Sequence, residues 1–431
     1  MALMVFMSCT ITTSAKYKEA PDYTKYVNPY IGTAFTGHTF PGACFPLGMM
    51  QPGPQTGNFG WQYSAGYVYS DTLINGFSQN RMNGTGGADL GDLLIQPFSG
   101  NRRNDFNSRF DKAREKASPG YYEVRLTDND VDVKITASPH VAFYQCKFSK
   151  GKSQNLFVDF QSGQIGVKSF LPVHILESEV KIENNRIISG YTRRKRWVDR
   201  VYYFVIEFDK PIVKKELLEK NDPREKAPRY IFSFDNKDGE TLNVKIAMSS
   251  TSVENAKKNM AAEVRGWNFN KVQKIAQKEW NKLLSRVRIE GSDDQKASFY
   301  TGIYHLYVQP NNIADVGGTY VGPNNKVSKS TAGKFYSTWS QWDIFRAAFP
   351  LYTIISPEVI PDFINSMLDF SEQQGHLPVW SLWGQEAYIM IANHSVPMVV
   401  DAYLKGFRGF NVQRAYNEVK KTLTKSHKKS N

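Results

Sequence analysis

The chain has 431 residues, a mass of 49.0 kDa and 41% hydrophobic residues, which is enough for two domains with real cores. Its formal net charge is +13, but the lysines and arginines are spread along the chain. Two clusters are dense, Arg193–Arg196 and the tail from Lys420 to Lys429. Neither has the interleaved aromatic residues of a nucleic-acid site, so we exclude nucleic acid as a partner.

Three cysteines, Cys9, Cys44 and Cys146, are too few for a disulfide framework or a zinc site. Cys44 and Cys146 could pair, although we favour buried free thiols. Residues 1–20 form a leader whose short apolar run ends in Ser8-Cys9, as in a bacterial lipoprotein signal, although the basic segment is missing. We therefore predict an exported protein, periplasmic or anchored at the outer membrane through a lipidated Cys9.

Residues 21–251 are predicted to be rich in β-strands. Segments of alternating polarity recur and are separated by turns such as Asp128-Asn129-Asp130. The pattern predicts a sandwich of antiparallel sheets. The clearest segments are Tyr121–Leu126, Val131–Ile135, Val141–Tyr144, Asn155–Phe160, Val201–Phe208 and Thr241–Ile246.

The pattern changes near Ser252, where helical spacing of apolar residues begins. Residues 252–291 are predicted to be a helical linker, and residues 292–431 to form successive helices. Ser292, followed by Asp293-Asp294, caps the first of these helices. Further helices are predicted to begin near Ser340, Pro357, Ser395 and Asn411.

Aromatic and charged residues cluster at the ends of the helical runs between Tyr336 and His394. Tryptophan rings can cover the C–H faces of a sugar, and carboxylate and guanidinium groups can bind its hydroxyls. The alternative is that the tryptophans are core residues and that Asp343 and Arg346 are a surface pair of one helix. The clustered residues are Trp342, Asp343, Arg346, His376, Trp380, Trp383, Gln385 and Glu386.

The run from Asn28 to Asp92 is dense in glycine and is predicted to be long loops. His38 in this run is either a satisfied loop histidine or a functional one. Asp89 and Asp92 could bind calcium through oxygen, but their spacing matches no EF-hand loop.

Several motifs of the chain are similar to those of glycoside hydrolase family 92, the calcium-dependent exo-acting α-mannosidases. The matching blocks are collinear and cover about residues 25 to 420. In the first half they are Asn28-Pro29-Tyr30-Ile31-Gly32-Thr33, Gly37-His38-Thr39-Phe40-Pro41-Gly42-Ala43, Gly60-Trp61, Ser64-Ala65-Gly66-Tyr67, Gly76-Phe77-Ser78, Asn83-Gly84-Thr85-Gly86 and Gly91-Asp92. In the second half they are Tyr336-Ser337-Thr338, Trp342-Asp343, Phe345-Arg346-Ala347, Leu377-Pro378-Val379-Trp380, Trp383-Gly384-Gln385-Glu386, His394-Ser395-Val396-Pro397 and Asp401-Ala402-Tyr403-Leu404-Lys405-Gly406.

The resemblance implies an N-terminal β-sandwich, a helical linker and an (α/α)6 barrel. We predict about five helices after Ser292, where such a barrel has twelve. The expectation is therefore a C-terminally truncated member that holds only the first part of the barrel.

The resemblance also implies calcium-dependent hydrolysis of terminal α-linked mannose with inversion, as in α-1,2-mannosidases acting on N-glycans or mannans. Inversion requires an acid and a base carboxyl roughly 6.5–9.5 Å apart. The family motifs that carry this acid, this base and the main calcium ligands are absent from the sequence. Glu386 is the remaining candidate acid, and its alternative role is to orient loops or bind a hydroxyl.

The substrate-binding residues implied by the resemblance are mostly present. Trp61, Asp343 and Arg346 would line the subsite for the terminal mannose, with Trp342 in support. Gln385, Glu386 and His38 would reach the same pocket. The competing hypotheses are an inactive fragment or a mannose-binding module, and another hydrolase that uses His38 or Cys44. No serine or cysteine of the sequence lies in a G-x-S-x-G nucleophile elbow, which counts against this other hydrolase.

Overall fold

The computed structural model describes residues 21–101, 105–165, 174–219, 226–235 and 239–426. The predicted leader with Cys9 lies outside these ranges, as do Lys428 and Lys429 of the basic tail. Within the described ranges, no helix is long and apolar enough to cross a membrane.

The first half of the chain is built from strands, as predicted. Their bounds are β1 Gly53–Gln55, β2 Leu73–Ile74, β3 Gly76–Ser78, β4 Leu94–Ser99, β5 Ser108–Arg109, β6 Lys116–Ser118, β7 Tyr121–Leu126, β8 Val131–Ala137, β9 Val141–Phe148, β10 Gln154–Asp159, β11 His174–Ile182, β12 Ile187–Lys195, β13 Asp199–Phe208, β14 Ile212–Leu217, β15 Arg229–Phe234 and β16 Thr241–Ser249.

Two antiparallel sheets enclose the main core. One has the strand order β1-β3-β4-β10-β15-β14 and the other β11-β12-β13-β16-β9-β8-β7-β6. Period-2 alternation turns Phe204 and Ile206 of β13 inward, where they join Leu156 of β10 and Phe232 of β15 in one buried apolar cluster. The antiparallel sandwich predicted from the sequence is therefore the observed architecture of this region.

The predicted helical linker consists of two helices, α1 (Val253–Glu263) and α2 (Phe269–Leu284). The break between them falls at Gly266, whose φ of +70° is unfavourable for other residues. Trp267 turns toward the sheet and packs edge-on against Phe143, with ring centroids 6.0 Å apart. The linker therefore covers the outer face of the larger sheet.

The second half is helical, with short strands between the helices. The helices are α3 Asp293–Leu306, α4 Gln341–Ile344, α5 Ala348–Ile355, α6 Ile360–Gln374, α7 Ser395–Leu404 and α8 Val412–Thr424. The predicted cap at Ser292 is a capping box completed by Gln295. The segments between these helices contain β17 Asn311–Asn312, β18 Thr319–Val321, β19 Val327–Lys329, β20 Tyr336–Ser337, β21 Trp339–Ser340, β22 Trp380–Leu382 and β23 Gln385–Glu386.

The two halves share their cores. Trp380 and Trp383 of the helical half belong to the apolar cluster of the sandwich, and Phe40 and Tyr67 of the first half belong to the cluster beneath the helices. Hydrogen bonds also cross the boundary, for example from the Trp280 indole to the Cys44 carbonyl (2.8 Å). Cys44 and Cys146 are both buried free thiols, as favoured from the sequence.

Candidate active site

Trp61 and His38 form an aromatic pair on the loops of the first half. Trp61 begins a short 3-10 helix, Trp61–Tyr63. The exposed fraction of Trp61 is 54%. Its ring centroid lies 5.0 Å from that of His38. The indole also lies against Gly86, where a Cβ atom would be 2.4 Å from Nε1, so only glycine permits this approach. The glycine-rich loop thus fixes the tryptophan while leaving half of it accessible.

His38 is buried beside this tryptophan, yet neither ring nitrogen has a hydrogen-bond partner among the described residues. Burial lowers the pKa of His38 below its ordinary value. The ring is therefore neutral near pH 7, with one nitrogen as donor and the other as acceptor. A buried imidazole with both nitrogens unmatched is a polar group that the hydroxyl of a ligand would satisfy.

Trp342, Asp343 and Arg346 lie on the short helix α4 and just after it. The Ser340 hydroxyl caps this helix by accepting from the Asp343 amide (3.3 Å). Asp343 and Arg346 are both exposed, and within the described residues no ion pair joins them. The surface pair considered from the sequence is therefore not formed, and both charged groups are available to bind a ligand.

His394 was not selected from the sequence, although it lies beside this group. Its ring contacts Phe345 at a centroid distance of 4.4 Å and lies edge-on to Trp342 at 6.5 Å. The Arg346 guanidinium lies 4.7 Å from the Phe345 ring centroid. The motif His394-Ser395-Val396-Pro397 could have indicated His394, because it belongs to the collinear family blocks.

Glu386 is buried in the hairpin β22–β23, and backbone amides bind both of its oxygens. It accepts from the amides of Val379 (2.8 Å), Trp380 (2.9 Å) and Tyr388 (3.3 Å). Burial raises the pKa of Glu386, and the amides of Val379 and Trp380 oppose that rise. These bonds tie the two ends of the loop together, and a loop-orienting role stays the prediction for this residue.

Gln385 is directed away from this carboxylate. Its amide nitrogen donates to Asn325 Oδ1 (2.6 Å) and to the backbone carbonyl of Asp199 on strand β13. The neighbouring Trp383 indole donates to the Val201 carbonyl (2.9 Å). The hairpin is therefore fastened to the end of one strand of the sandwich.

Asp89 and Asp92, the weak calcium candidates, are bound by arginines instead. Asp92 accepts from Arg194 Nη1 (2.6 Å) and from Arg200, while Asp89 accepts from Arg200 Nη2 (3.0 Å). Burial alone would raise the pKa of Asp92, but Arg200 and Arg194 outweigh it and hold the pKa below the ordinary value. These carboxylates stabilise the fold and are unavailable to a cation.

The described residues do not fit a calcium site. Among them, no group of three or more His, Cys, Asp or Glu side chains is placed to hold a metal ion. A calcium ion needs six to eight oxygen ligands, which the exposed Asp343 alone does not supply.

The sequence-predicted site residues form three groups, defined by Trp61 with His38, Trp342 with Asp343 and Arg346, and Gln385 with Glu386. Across the described residues, no hydrogen bond, ion pair or ring contact joins one of these groups to another. The Trp342 group and the Glu386 group are nevertheless close in the fold, because β21 before α4 pairs with β22.

Comparison with known proteins matches both halves of the chain. The glycosyl hydrolase family 92 N-terminal domain matches residues 26–249, and the family's catalytic domain matches residues 255–431. These two matches meet near the point where the sandwich gives way to α1.

Solved structures and a curated relative show the same similarity. An α-mannosidase of this family from Bacteroides thetaiotaomicron, solved with mannoimidazole, is 29% identical with a TM-score of 0.88, covering 95% of this chain and 56% of its own. An inverting mannosidase from the same organism is 26% identical with a TM-score of 0.79, covering 93% and 55%.

A protein from Arthroderma benhamiae described as a secreted glycosidase is 23% identical, covering 89% of this chain and 50% of its own. This chain thus spans about half the length of the relatives it matches. With both domain models of the family matched in order, the chain belongs to glycosyl hydrolase family 92.

Proposed function

We propose that the protein acts in the hydrolysis of terminal α-linked mannose, as an inverting exo-α-mannosidase of the α-1,2 type. The observation that carries the proposal is the half-exposed Trp61 beside the buried His38, whose ring nitrogens have no partner among the described residues. A sugar has apolar C–H faces and hydroxyl edges, and this pair offers a surface for each.

The residues divide the binding of a terminal mannose between them. Trp61 covers a C–H face of the ring, and neutral His38 exchanges a hydrogen bond with a hydroxyl. Asp343 and Arg346, both exposed and unpaired with each other, bind hydroxyls as acceptor and donor. Trp342, held against His394, supports that second pair.

Glu386 is assigned a positioning role in this proposal. A general acid must reach the oxygen that it protonates, whereas both oxygens of this buried carboxyl accept from backbone amides. The acid, the base and the calcium ligands that the family resemblance implies are assigned to none of the described residues. Export to the periplasm or the outer membrane, with Cys9 as the lipid anchor, is part of the same proposal and is favoured by the secreted relative.

The second candidate function is a mannose-binding module without turnover. It is favoured by the saturated bonding of Glu386 and by the lack of a metal-binding cluster in the described part of the chain. Both candidates require the same sugar-binding residues and differ in turnover alone.

One experiment separates these functions. The chain is incubated with α-1,2-mannobiose, with calcium and then with a chelator, and released mannose is measured. Mannose binding is followed in parallel by calorimetry. Trp61→Ala and His38→Ala are expected to abolish binding, while Tyr416→Ala, an exposed aromatic on α8, serves as the matched control.

Calcium-dependent release that is lost in Trp61→Ala would support the mannosidase. Binding without release, alongside an active full-length relative, would support the binding module. Wild-type-like mannose affinity in Trp61→Ala would contradict both functions.

A further inference from the structure

His140 lies where three parts of the protein meet, outside the site described above. It occupies the turn between β8 and β9 and is 3% exposed. Glu263, the last residue of helix α1, packs against it from the linker. Ala314, in the segment between β17 and β18, packs against it from the helical half. One imidazole therefore joins the sandwich, the linker and the helical region.

Both ring nitrogens of His140 face acceptors. Nδ1 lies 2.5 Å from Glu263 Oε1, and Nε2 lies 2.8 Å from the Ala314 carbonyl oxygen. A carbonyl oxygen can only accept, so Nε2 must carry a hydrogen. A neutral imidazole has no second hydrogen, so a further proton must lie between Nδ1 and Glu263. The pair holds one proton more than a neutral histidine beside a charged glutamate.

Two carboxylates face this imidazole. Glu263 is fixed by the His140 amide (2.8 Å) and the Ser138 hydroxyl (2.7 Å). Asp315 follows Ala314 and accepts from Asn259 Nδ2 (2.8 Å). Burial alone would lower the pKa of His140, but Glu263 and Asp315 outweigh it and hold the pKa above its ordinary value.

The Ala314 segment leads directly to the candidate active site. The hairpin β18–β19 follows it, and Gly384 lies so close to the Val321 carbonyl that a Cβ atom would be 2.2 Å from the oxygen. Asn325 in the same hairpin accepts from Gln385, the residue before Glu386. A shift of the segment at Ala314 would therefore be transmitted to the β22–β23 hairpin.

We propose that His140 is a proton-dependent positioning residue, which docks the Ala314–Asn325 segment and, through it, the β22–β23 hairpin onto the sandwich. When the shared proton leaves, the Nδ1 lone pair faces the Glu263 carboxylate and the junction loosens. The effect on mannose binding rests on the proposed function, whereas the proton-dependent docking does not.

The direction of the pH dependence follows from linkage. Because the pKa of His140 is raised on folding, its contribution is complete below about pH 6.5 and is lost as the pH rises through the folded-state value. The pKa of Glu263 is lowered, since His140 outweighs the effect of burial, so its contribution is lost as the pH falls through that lowered value. The junction is tightest between these limits.

Amide hydrogen exchange of the whole chain at about pH 6 and about pH 9 tests the proposal. After correction for intrinsic exchange rates, peptides covering residues 311–329 and 380–388 are expected to lose protection by about tenfold at the higher pH, the change that the loss of one net hydrogen bond brings. Peptides from β13 are expected to keep theirs. In His140→Gln the pH dependence should vanish, whereas Ser138→Ala, which removes a hydrogen bond to Glu263 but no titrating group, should retain it.

Equal protection at both pH values, or an unchanged pH dependence in His140→Gln, would overturn the proposal. If that variant does not fold, the ring of His140 is titrated by NMR in the wild-type chain, where a pKa at or below the ordinary value of about 6.5 is the overturning result. Mannose affinity is measured at the same two pH values. A chain that binds no mannose yet shows the exchange change would refute the proposed function alone.

Discussion

The sandwich and the helices that follow it bury their apolar residues differently. In β13, alternate side chains point inward, and Tyr202, Phe204 and Ile206 are fully buried between the two sheets. In α5 and α7, by contrast, apolar residues also point outward, and Ile354 and Leu404 are each 75% exposed. The sheets close around their core, whereas α5 and α7 leave a second apolar face in solvent.

This difference shows where each region obtains its stability. A helix that is apolar all round is normally buried on every side. Helices α5 and α7 are secured by one face only, through a core that they share with loops of the first half, including Phe40 and Tyr67. We therefore expect the sandwich to supply the framework and the outward helical faces to drive association.

The largest loss of stability should come from removing a buried aromatic ring from either core. Phe204→Ala in β13 and Phe363→Ala in α6 each remove a fully buried ring, and each should lower the free energy of unfolding by about 3–5 kcal/mol. Because the two cores interlock, both variants should still unfold in one transition in urea, followed by circular dichroism. Tyr416→Ala on the surface of α8 should change stability by less than about 0.5 kcal/mol.

Two separate transitions in Phe363→Ala would contradict the interlocking of the two cores. That result would mean that the helices melt independently of the sandwich, despite hydrogen bonds such as that from the Leu47 amide to the Tyr307 carbonyl (2.7 Å).

Asp92→Asn should rank next, at about 3 kcal/mol, because it leaves the buried Arg194 without its carboxylate and the buried Arg200 with Asp89 alone. The pKa of Asp92 is lowered on folding, so its contribution is present above the ordinary carboxyl pKa and is lost as the pH falls. Urea unfolding at several pH values measures both effects. Asp401→Asn, which breaks a half-exposed pair with Lys405, should cost about 0.3–0.5 kcal/mol, and a similar loss in both variants would refute the argument.

Glu386→Gln should cost about 1–3 kcal/mol, because an amide group would point hydrogens at backbone amides that now donate to a carboxylate. The pKa of Glu386 is raised by burial, so its stabilising contribution is present at low pH and declines as the pH rises through that value. The variant should flatten this decline in thermal unfolding. The exposed Glu290→Gln serves as control, and a fully stable Glu386→Gln would disprove the loop-orienting role.

Much of the sandwich could be predicted, because its longer strands show alternating polar and apolar residues in the sequence. The segment Tyr121–Leu126 alternates in sequence and is the observed β7. The short strands β1 and β3 could not be predicted, because glycine-rich segments such as Gly53–Gln55 carry little alternation. They are strands only because a neighbouring strand pairs with them.

The contacts of the polar residues could not be read from the sequence. Arg194 was part of a basic cluster, but strand alternation turns it inward to Asp92, 102 positions away, while Arg193 faces outward to Asp199. The Trp61–His38 pair became apparent only through the family resemblance, since neither residue has a local pattern that marks a pocket. Long-range pairing of this kind depends on tertiary structure.

The smallest effect on stability is expected at the outward faces of α5 and α7. The double variant Ile354→Lys and Leu404→Lys should change the free energy of unfolding by less than about 0.5 kcal/mol, because both side chains are three-quarters exposed. It should also reduce self-association in sedimentation velocity, because two charges would interrupt the apolar surface. Leu217→Lys, at a position 61% exposed on β14, is the matched control in the sandwich. An equal reduction of self-association by that control would mean that association follows net charge alone. A monomeric wild-type chain would mean that the outward faces of α5 and α7 are tolerated in water.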